Sequence, residues 1–235
     1  MVRYSRKLFF FVNYLARHRE IGKIENFDKT ITVTLNELTQ TNDCNLPPKI
    51  FFYEAGFLTI KKVIDNMAEL EMPNGEVKNA MAQIYEILIT KSGECPFETN
   101  RKIMSALRKP DFKELVTHLN ALYSEIAYDH NPLTMESHVR MVMQMFLIGR
   151  GYFPVAEKMG IEGRSDLDFA VDGMHWVLEF KFARAGDDKD KMLKDAIRQV
   201  KERKYGEFKR EARQIRGVLV FDGDEHQFTH SAEVV

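Results

Sequence analysis

Residues 167–183 read LDFAVDGMHWVLEFKFA, and their order decides how the rest of the chain is read. Trp176, Leu178, Phe180 and Phe182 alternate along one face, the period-two pattern of a half-buried strand. The other face carries His175, Val177, Glu179 and Lys181. Asp172-Gly173 is a two-residue hairpin signal, so SDLDFAV before it and HWVLEFKFA after it read as antiparallel neighbours. Asp166 and Asp168, two apart on the first strand, share a face, as do Glu179 and Lys181 on the second. These side chains therefore converge at one end of a sheet.

Two readings of that face stand side by side. Acid–lysine pairs two apart on a strand commonly form a solvated, ion-paired surface. Two or three carboxylate oxygens with open positions also suit Mg²⁺, which keeps several waters and accepts phosphate oxygens. A lysine beside such an ion orients or deprotonates water and stabilises developing negative charge. Asp166, on a strand ending at a hairpin, favours the second reading. So does the order of elements around it.

That order is built outward from the hairpin. MESHVRMVMQMFLIGRG (135–151) reads as a helix, followed by a strand near Phe153–Glu157 and then the hairpin. A long helix is expected over roughly Asp187–Glu211, GVLVFDG (217–223) as a buried strand, and HQFTHSAEVV (226–235) as an added edge strand. The result is αβββαβ, in which the crossover rule sends the long helix across the sheet into a parallel strand. YDHNPLT (128–134) is a polar, proline-containing turn and marks a boundary between 1–130 and 131–235.

The first 130 residues read as mainly helical with a small β-hairpin. A helix is expected over Ser5–Arg19, a short strand at TITVTL (30–35), and a proline-opened helix at LPPKIFFYEAG (46–56) that stops at Gly56. FLTIKKVI and AELEM form the hairpin strands. Three helices follow, in EVKNAMAQIYEILIT, NRKIMSALRK and DFKELVTHLNALYSEIA, the last capped by Asp111. The hairpin with its flanking helices suits either a winged-helix-like DNA contact or a scaffold for a protein partner or second copy. The acidic AELEMPNGE favours the scaffold.

Composition narrows the classes. Of 235 residues, 44% are hydrophobic and 11% aromatic, ample for a packed core. Lys plus Arg total 34 against 35 Asp plus Glu, so any nucleic-acid surface is a local patch. Cys44 and Cys95 match no zinc spacing and read as reduced cytosolic thiols. In MVRYSRKLFFFVNYLARHRE, Asn13 and Tyr14 interrupt the apolar stretch and no small-residue cleavage site follows, which favours an amphipathic helix over a signal peptide. No run reaches the roughly 18 apolar residues of a membrane span, so a cytoplasmic location without membrane contact is expected.

GRSDLDFAVDGMHWVLEFKFA (163–183), with DAIRQVKERKYGEF (195–208) and RGVLVFDG (216–223), resembles the PD-(D/E)XK nuclease superfamily. It is most similar to the nuclease domain at the C-terminus of bacterial AAA-ATPase-like proteins, over roughly residues 134–225. The resemblance implies a restriction-endonuclease-like α/β fold with a mixed sheet. It makes Asp166 the motif aspartate and Glu179 and Lys181 the (D/E)XK pair, and it implies Asp166, Glu179 and Phe180 as the metal-holding positions. Gln199 and Tyr205 match the helix positions, Gln199 among the catalytic set, and Glu157 matches an acidic position. Asp168 is either a spare ligand or a sheet-edge residue. FFYEAGFLTIKK (51–62) and LEMPNGEVKNAM (70–81) resemble the linker between ATPase and nuclease in the same proteins. The chain contains no G-x-x-x-x-G-K-[ST], so it offers no ATP site. A natural short form, a cut-down gene and an expressed fragment all fit this.

The segment from Lys181 to Arg216 is locally basic, with KERKYGEFKREARQIR at its end. Arg164, Arg198, Lys201 and Tyr205 are its candidate nucleic-acid contacts, against the alternative of a solvated helix laced with ion pairs. His138 reads as a satisfied core histidine, Met141, Met143 and Met145 as packing residues, and Asp222, Asp224 and Glu225 as a turn. The expected activity is Mg²⁺-dependent hydrolysis of nucleic acid, DNA before RNA, with Mn²⁺ as substitute metal. The alternatives are a nuclease-fold module that binds nucleic acid or protein without cutting, and a structural partner domain whose acids are tied up in salt bridges.

Overall fold

A computed structural model describes residues 31–39, 47–94, 96–159, 164–202 and 214–234. The expected helix at Ser5–Arg19, Cys44, Cys95, Tyr205 and the end of the long helix lie outside the described residues. These fall into two compact units, divided between Ile84 and Tyr85.

The first unit holds β1 (Ile31–Thr34), α1 (Leu35–Thr39), α2 (Pro48–Glu54), β2 (Thr59–Ile64), β3 (Met67–Glu71) and the start of α3 (Gly75–Ile89). Asp65, at φ 52°, turns the chain between β2 and β3. β3 is the middle strand of an antiparallel sheet ordered β1-β3-β2. One face buries Val33, Ala68 and Leu70 with Ile50 and Leu58. Helix α2 opens at proline as the sequence implies, and Gly56 at φ 80° ends it in the left-handed region where a Cβ is costly.

The second unit contains α4 (Phe97–Arg108), α5 (Phe112–Ser124), α6 (Glu136–Ile148), β4 (Val155–Met159), β5 (Arg164–Val171), β6 (Met174–Ala183), α7 (Lys189–Glu202), β7 (Gln214–Asp222) and β8 (Gln227–Glu233). The Asp111 side chain caps α5 by accepting from the Glu114 N–H at 3.0 Å. The five strands lie in the order β4-β5-β6-β7-β8. β4, β5 and β6 form an antiparallel meander, β6 and β7 are parallel, and β8 closes the edge antiparallel to β7. A parallel neighbour needs a crossover, and α7 supplies it. This is the mixed α/β sheet expected of a restriction-endonuclease-like fold. Among the described residues no helix is long and apolar enough to cross a membrane.

β6 is more deeply placed than a half-buried strand. Trp176, Leu178 and Phe180 are buried on one face, but so are His175, Val177 and Glu179 on the other. On the first side the Trp176 indole N–H donates to the Leu107 carbonyl at 3.2 Å, and the rings of Tyr123, Phe180, Phe221 and Phe228 pack together. On the second, Ala196 and Val200 of α7 close over Val177, Val218 and Val234. A strand in a crossover unit is covered on both faces, which its own alternation does not reveal. Helices α4 and α5 join the sheet in one compact unit, through Trp176–Leu107 and through Asn120, which both donates to the Phe228 carbonyl and accepts from its N–H. Compactness thus divides the chain earlier than the 128–134 turn.

A Cβ on Gly217 would fall within the Phe112 ring, 2.9 Å from its Cζ and 3.1 Å from Leu178 Cδ2. Gly217→Ala is therefore expected to lower the unfolding free energy by about 1–3 kcal/mol, read as a fall in the urea midpoint. Combining it with Phe112→Leu should recover part of the loss. An unchanged midpoint for the single variant would mean that the α5–β7 contact is looser than described.

Candidate active site

The β5–β6 hairpin carries the site. Asp172 and Gly173 both have positive φ, 47° and 83°, the twist that a two-residue turn between right-twisted strands demands. The turn sets the register, with Leu167 opposite Leu178 and Asp168 opposite Val177. One further step along the same register brings Asp166 to Glu179. There the Asp166 Oδ2 accepts the backbone N–H of Phe180 at 2.8 Å.

Glu179 is 1% exposed. Its Oε1 accepts from Lys181 Nζ at 3.0 Å and from Gln199 Nε2, reaching down from α7, at 2.7 Å. Its Oε2 is buried and has no hydrogen-bond partner among the described residues. Burial above all, then the Asp166 charge, pushes the Glu179 carboxyl up to about 7. Burial alone would draw the Lys181 ammonium down. The carboxylates of Glu179, Glu136 and Asp166 outweigh it, and the net shift is upward. These carboxylates favour the charged ammonium of Lys181.

Helix α6 adds two groups that the sequence reading passed over. Glu136 Oε2 lies 3.3 Å from Lys181 Nζ, and burial followed by the Asp166 charge raises its carboxyl. One turn on, Arg140 Nη1 lies 3.8 Å from Asp166 Oδ1. The available signal was their i,i+4 spacing, which puts both on one face of a helix otherwise read for its apolar residues.

The other sequence candidates divide. Asp166, Glu179, Phe180, Lys181 and Gln199 are brought together. Asp168, read as a spare ligand or a sheet-edge residue, has a partner of its own. It is buried, with Oδ1 3.0 Å from His175 Nε2, and the Gln214 amide lies 3.2 Å from His175 Nδ1. His138 is not a core residue. It is half-buried in the first turn of α6, where its Nδ1 accepts the Thr134 N–H at 3.3 Å. Arg198 is exposed and ion-paired with Asp195 at 2.9 Å, and Lys201 is exposed at the end of α7. The side chains of Glu157 and Arg164 lie outside the described residues, as does Tyr205 entirely. Met143 and Met145 are core residues. Asp222 Oδ1 accepts the N–H groups of Asp224 and Glu225, a turn held further by Lys189 on Asp222 Oδ2.

Among the described residues no three His, Cys, Asp or Glu side chains are grouped to hold a metal ion. Two carboxylates remain, and they suit a hard cation that keeps most of its water. The buried, unpartnered Glu179 Oε2 is the observation that fits such an ion, because a lone carboxylate oxygen out of water is otherwise costly.

Residues 134–231 match the family model of the PD-(D/E)XK nuclease superfamily. The match runs from just before α6 into β8 and so spans every element of the site. It supports this superfamily and a nuclease-type fold for that part of the chain. Such nucleases generally use divalent metal ions and act on nucleic acid. No curated protein and no solved structure matches the chain.

The raised Glu179 carboxyl has a measurable sign. It titrates near 4.5 when unfolded and near 7 when folded, so between these values the folded state holds the extra proton. In metal-free protein the unfolding free energy should then fall as pH rises from about 4.5 through about 7. Glu179→Gln lacks this group, so its stability relative to wild type should climb across that window, by up to about 3 kcal/mol. Urea unfolding in EDTA at a series of pH values measures it. Parallel curves for the two proteins would mean that Glu179 stays ionised in the fold.

Proposed function

We propose that this protein is a divalent-metal-dependent nuclease that hydrolyses phosphodiester bonds of nucleic acid, DNA before RNA, with Mg²⁺ as its ion and Mn²⁺ as substitute. The observation that carries this reading is the convergence of Asp166, Glu179 and Lys181 on one face of β5 and β6, with one buried Glu179 oxygen unpartnered. Asp166, Glu179 and the Phe180 carbonyl are the groups assigned to hold the ion. When bound, it acidifies water and screens charge on the phosphoryl group.

The protein's own residues take the following roles. Gln199 and Lys181 both hold Glu179 Oε1, which leaves Oε2 as the oxygen directed to the ion. Lys181, kept protonated by its carboxylate neighbours, stabilises negative charge growing on the phosphoryl oxygens. Water adds to phosphorus, one P–O ester bond breaks, and the leaving oxygen takes up a proton. Because Glu179 must lose its own proton before ligating, metal affinity rises with pH through about 7. Arg164, Arg198, Lys201 and Tyr205 serve as tracking contacts for the nucleic-acid backbone.

In this reading residues 131–235 form the nuclease domain, with α4 and α5 packed against its sheet in the same compact unit, and the rest of 1–130 is an accessory region that docks a protein partner or a second copy. The likeness of residues 51–62 and 70–81 to the linker of AAA-ATPase-like proteins supports the second part.

Calorimetry with Mg²⁺ and Mn²⁺ on wild type, Asp166→Ala and Glu179→Ala, alongside cleavage of plasmid and single-stranded DNA, tests the proposal. Metal uptake by wild type and its loss in both variants, with cleavage lost alongside, is expected. No metal uptake by wild type even with DNA present would replace the nuclease with a binding module. A second test isolates the lysine. Lys181→Met should lower kcat by about 10²–10³-fold while retaining metal binding, and an unchanged kcat would remove Lys181 from the chemistry.

A further inference from the structure

The outer face of α7 carries a line of positive charge. Ala196 and Val200 are buried against the sheet, and Gln199 reaches in to Glu179. Lys191, Lys194, Arg198 and Lys201 are all exposed. Their spacing of three, four and three residues sets them in one row, on the side of the helix away from Ala196 and Val200.

Such a row is ordinary where acids one turn away neutralise it. Here the acids in reach are placed elsewhere. Asp187, four residues before Lys191, accepts the Arg184 N–H at 2.8 Å. Asp188 accepts the backbone N–H of Lys191 at 2.9 Å. Asp190, four residues before Lys194, lies 3.6 Å from His230 Nε2. Asp195 pairs with Arg198 at 2.9 Å. Among the described residues, Lys191, Lys194 and Lys201 form no ion pair. Like charges three and four residues apart weaken a helix, and a polyanion laid along the row removes that repulsion.

The shape of the row selects the form of the polyanion. At about 1.5 Å per residue, Lys191 and Lys201 stand about 15 Å apart along a straight rod. One strand of B-form DNA presents a phosphate about every 3.4 Å of axis, so a duplex running beside the helix offers about four over that length, one for each cation. Single strands bind instead where their bases stack on aromatic side chains, and α7 has none between Lys189 and Glu202.

Resting on the nuclease reading for the identity of the polyanion, we propose that the outer face of α7 is a docking surface for the backbone of duplex DNA, in which Lys191 and Lys194 extend the contacts of Arg198 and Lys201. Glu179 lies inside the helix and the row outside it, so the row holds a part of the duplex away from the bond being cut. Arg198 exchanges Asp195 for phosphate as the duplex docks.

Anisotropy of a fluorescein-labelled DNA duplex and of the matching single strand, in EDTA over a salt series, tests this on wild type and on the double variant Lys191→Gln/Lys194→Gln. A control, Lys102→Gln/Lys113→Gln, removes two exposed lysines from α4 and α5. The α7 variant should bind duplex about 10-fold more weakly, with a salt slope shallower by about two, while the control keeps the wild-type slope. Single strand should bind wild type more weakly than duplex and lose less in the α7 variant. Equal losses in the two variants, a wild-type slope in the α7 variant, a larger loss for single strand than for duplex, or wild type that binds neither would each overturn the proposal. Incubation of the same duplex with Mg²⁺ separates it from the reading it rests on. Binding lost in the α7 variant, with no cleavage by wild type, would overturn the nuclease and leave α7 as the DNA contact of a binding module.

Discussion

The Glu179 carboxylate lies out of water in the middle of a sheet, and the rest of the second unit is arranged around that fact. An ionised carboxylate there is unstable unless cations and donors surround it. Lys181 from the same strand and Gln199 from the crossover helix both reach one of its oxygens, and the other is left without a partner. A wholly structural ion pair would satisfy both oxygens. The half-satisfied carboxylate, lifted toward neutral pH, has the character of a group kept ready for a further positive charge.

Backbone geometry makes this placement repeatable. The tight turn at Asp172-Gly173 sets the register of β5 against β6, and the register puts Asp166 within reach of the Phe180 N–H. A slip of one residue would carry Asp166 to the opposite face, into the aromatic packing around Phe180. The parallel pairing of β6 with β7 then obliges the chain to cross over as α7, which delivers Gln199 to Glu179 from above. The same helix buries Ala196 and Val200 against Val177 and Val218, so the packing that holds the fold also dries the site. Low solvent access strengthens every charge interaction there.

Not every acid on that face shares this role. Asp168 lies two residues from Asp166 and on the same side, yet it is bound to His175, which is held in turn by Gln214. The buried Asp168–His175 pair, with the partly buried Gln214, is distinct from the oxygens bonded to Lys181. The distinction is one of partners: Asp168 has His175 on its Oδ1, whereas Asp166 holds the Phe180 N–H beside Glu179.

What could be read without a structure was everything that depends on local order. The strand at Trp176–Phe182, the Asp-Gly turn, the cap at Asp111 and the spacing of Glu179 and Lys181 follow from neighbouring residues and backbone preference, and all reappear in the fold. The likeness of 163–183 and 195–208 to a nuclease pattern drew Gln199 into the set as well, and Gln199 reaches Glu179. Tertiary structure alone decided the rest. The burial of both faces of β6 depends on α7 folding back over it, and the spacing of apolar residues within the strand carries no record of that cover. Glu136 and Arg140 entered the site, while Asp168 and His175 withdrew into a separate pair, because contacts between distant elements fix which acid meets which base. The charge state of Glu179 belongs to the same class, since it is set by the water that the whole unit excludes rather than by the residues beside it in the chain.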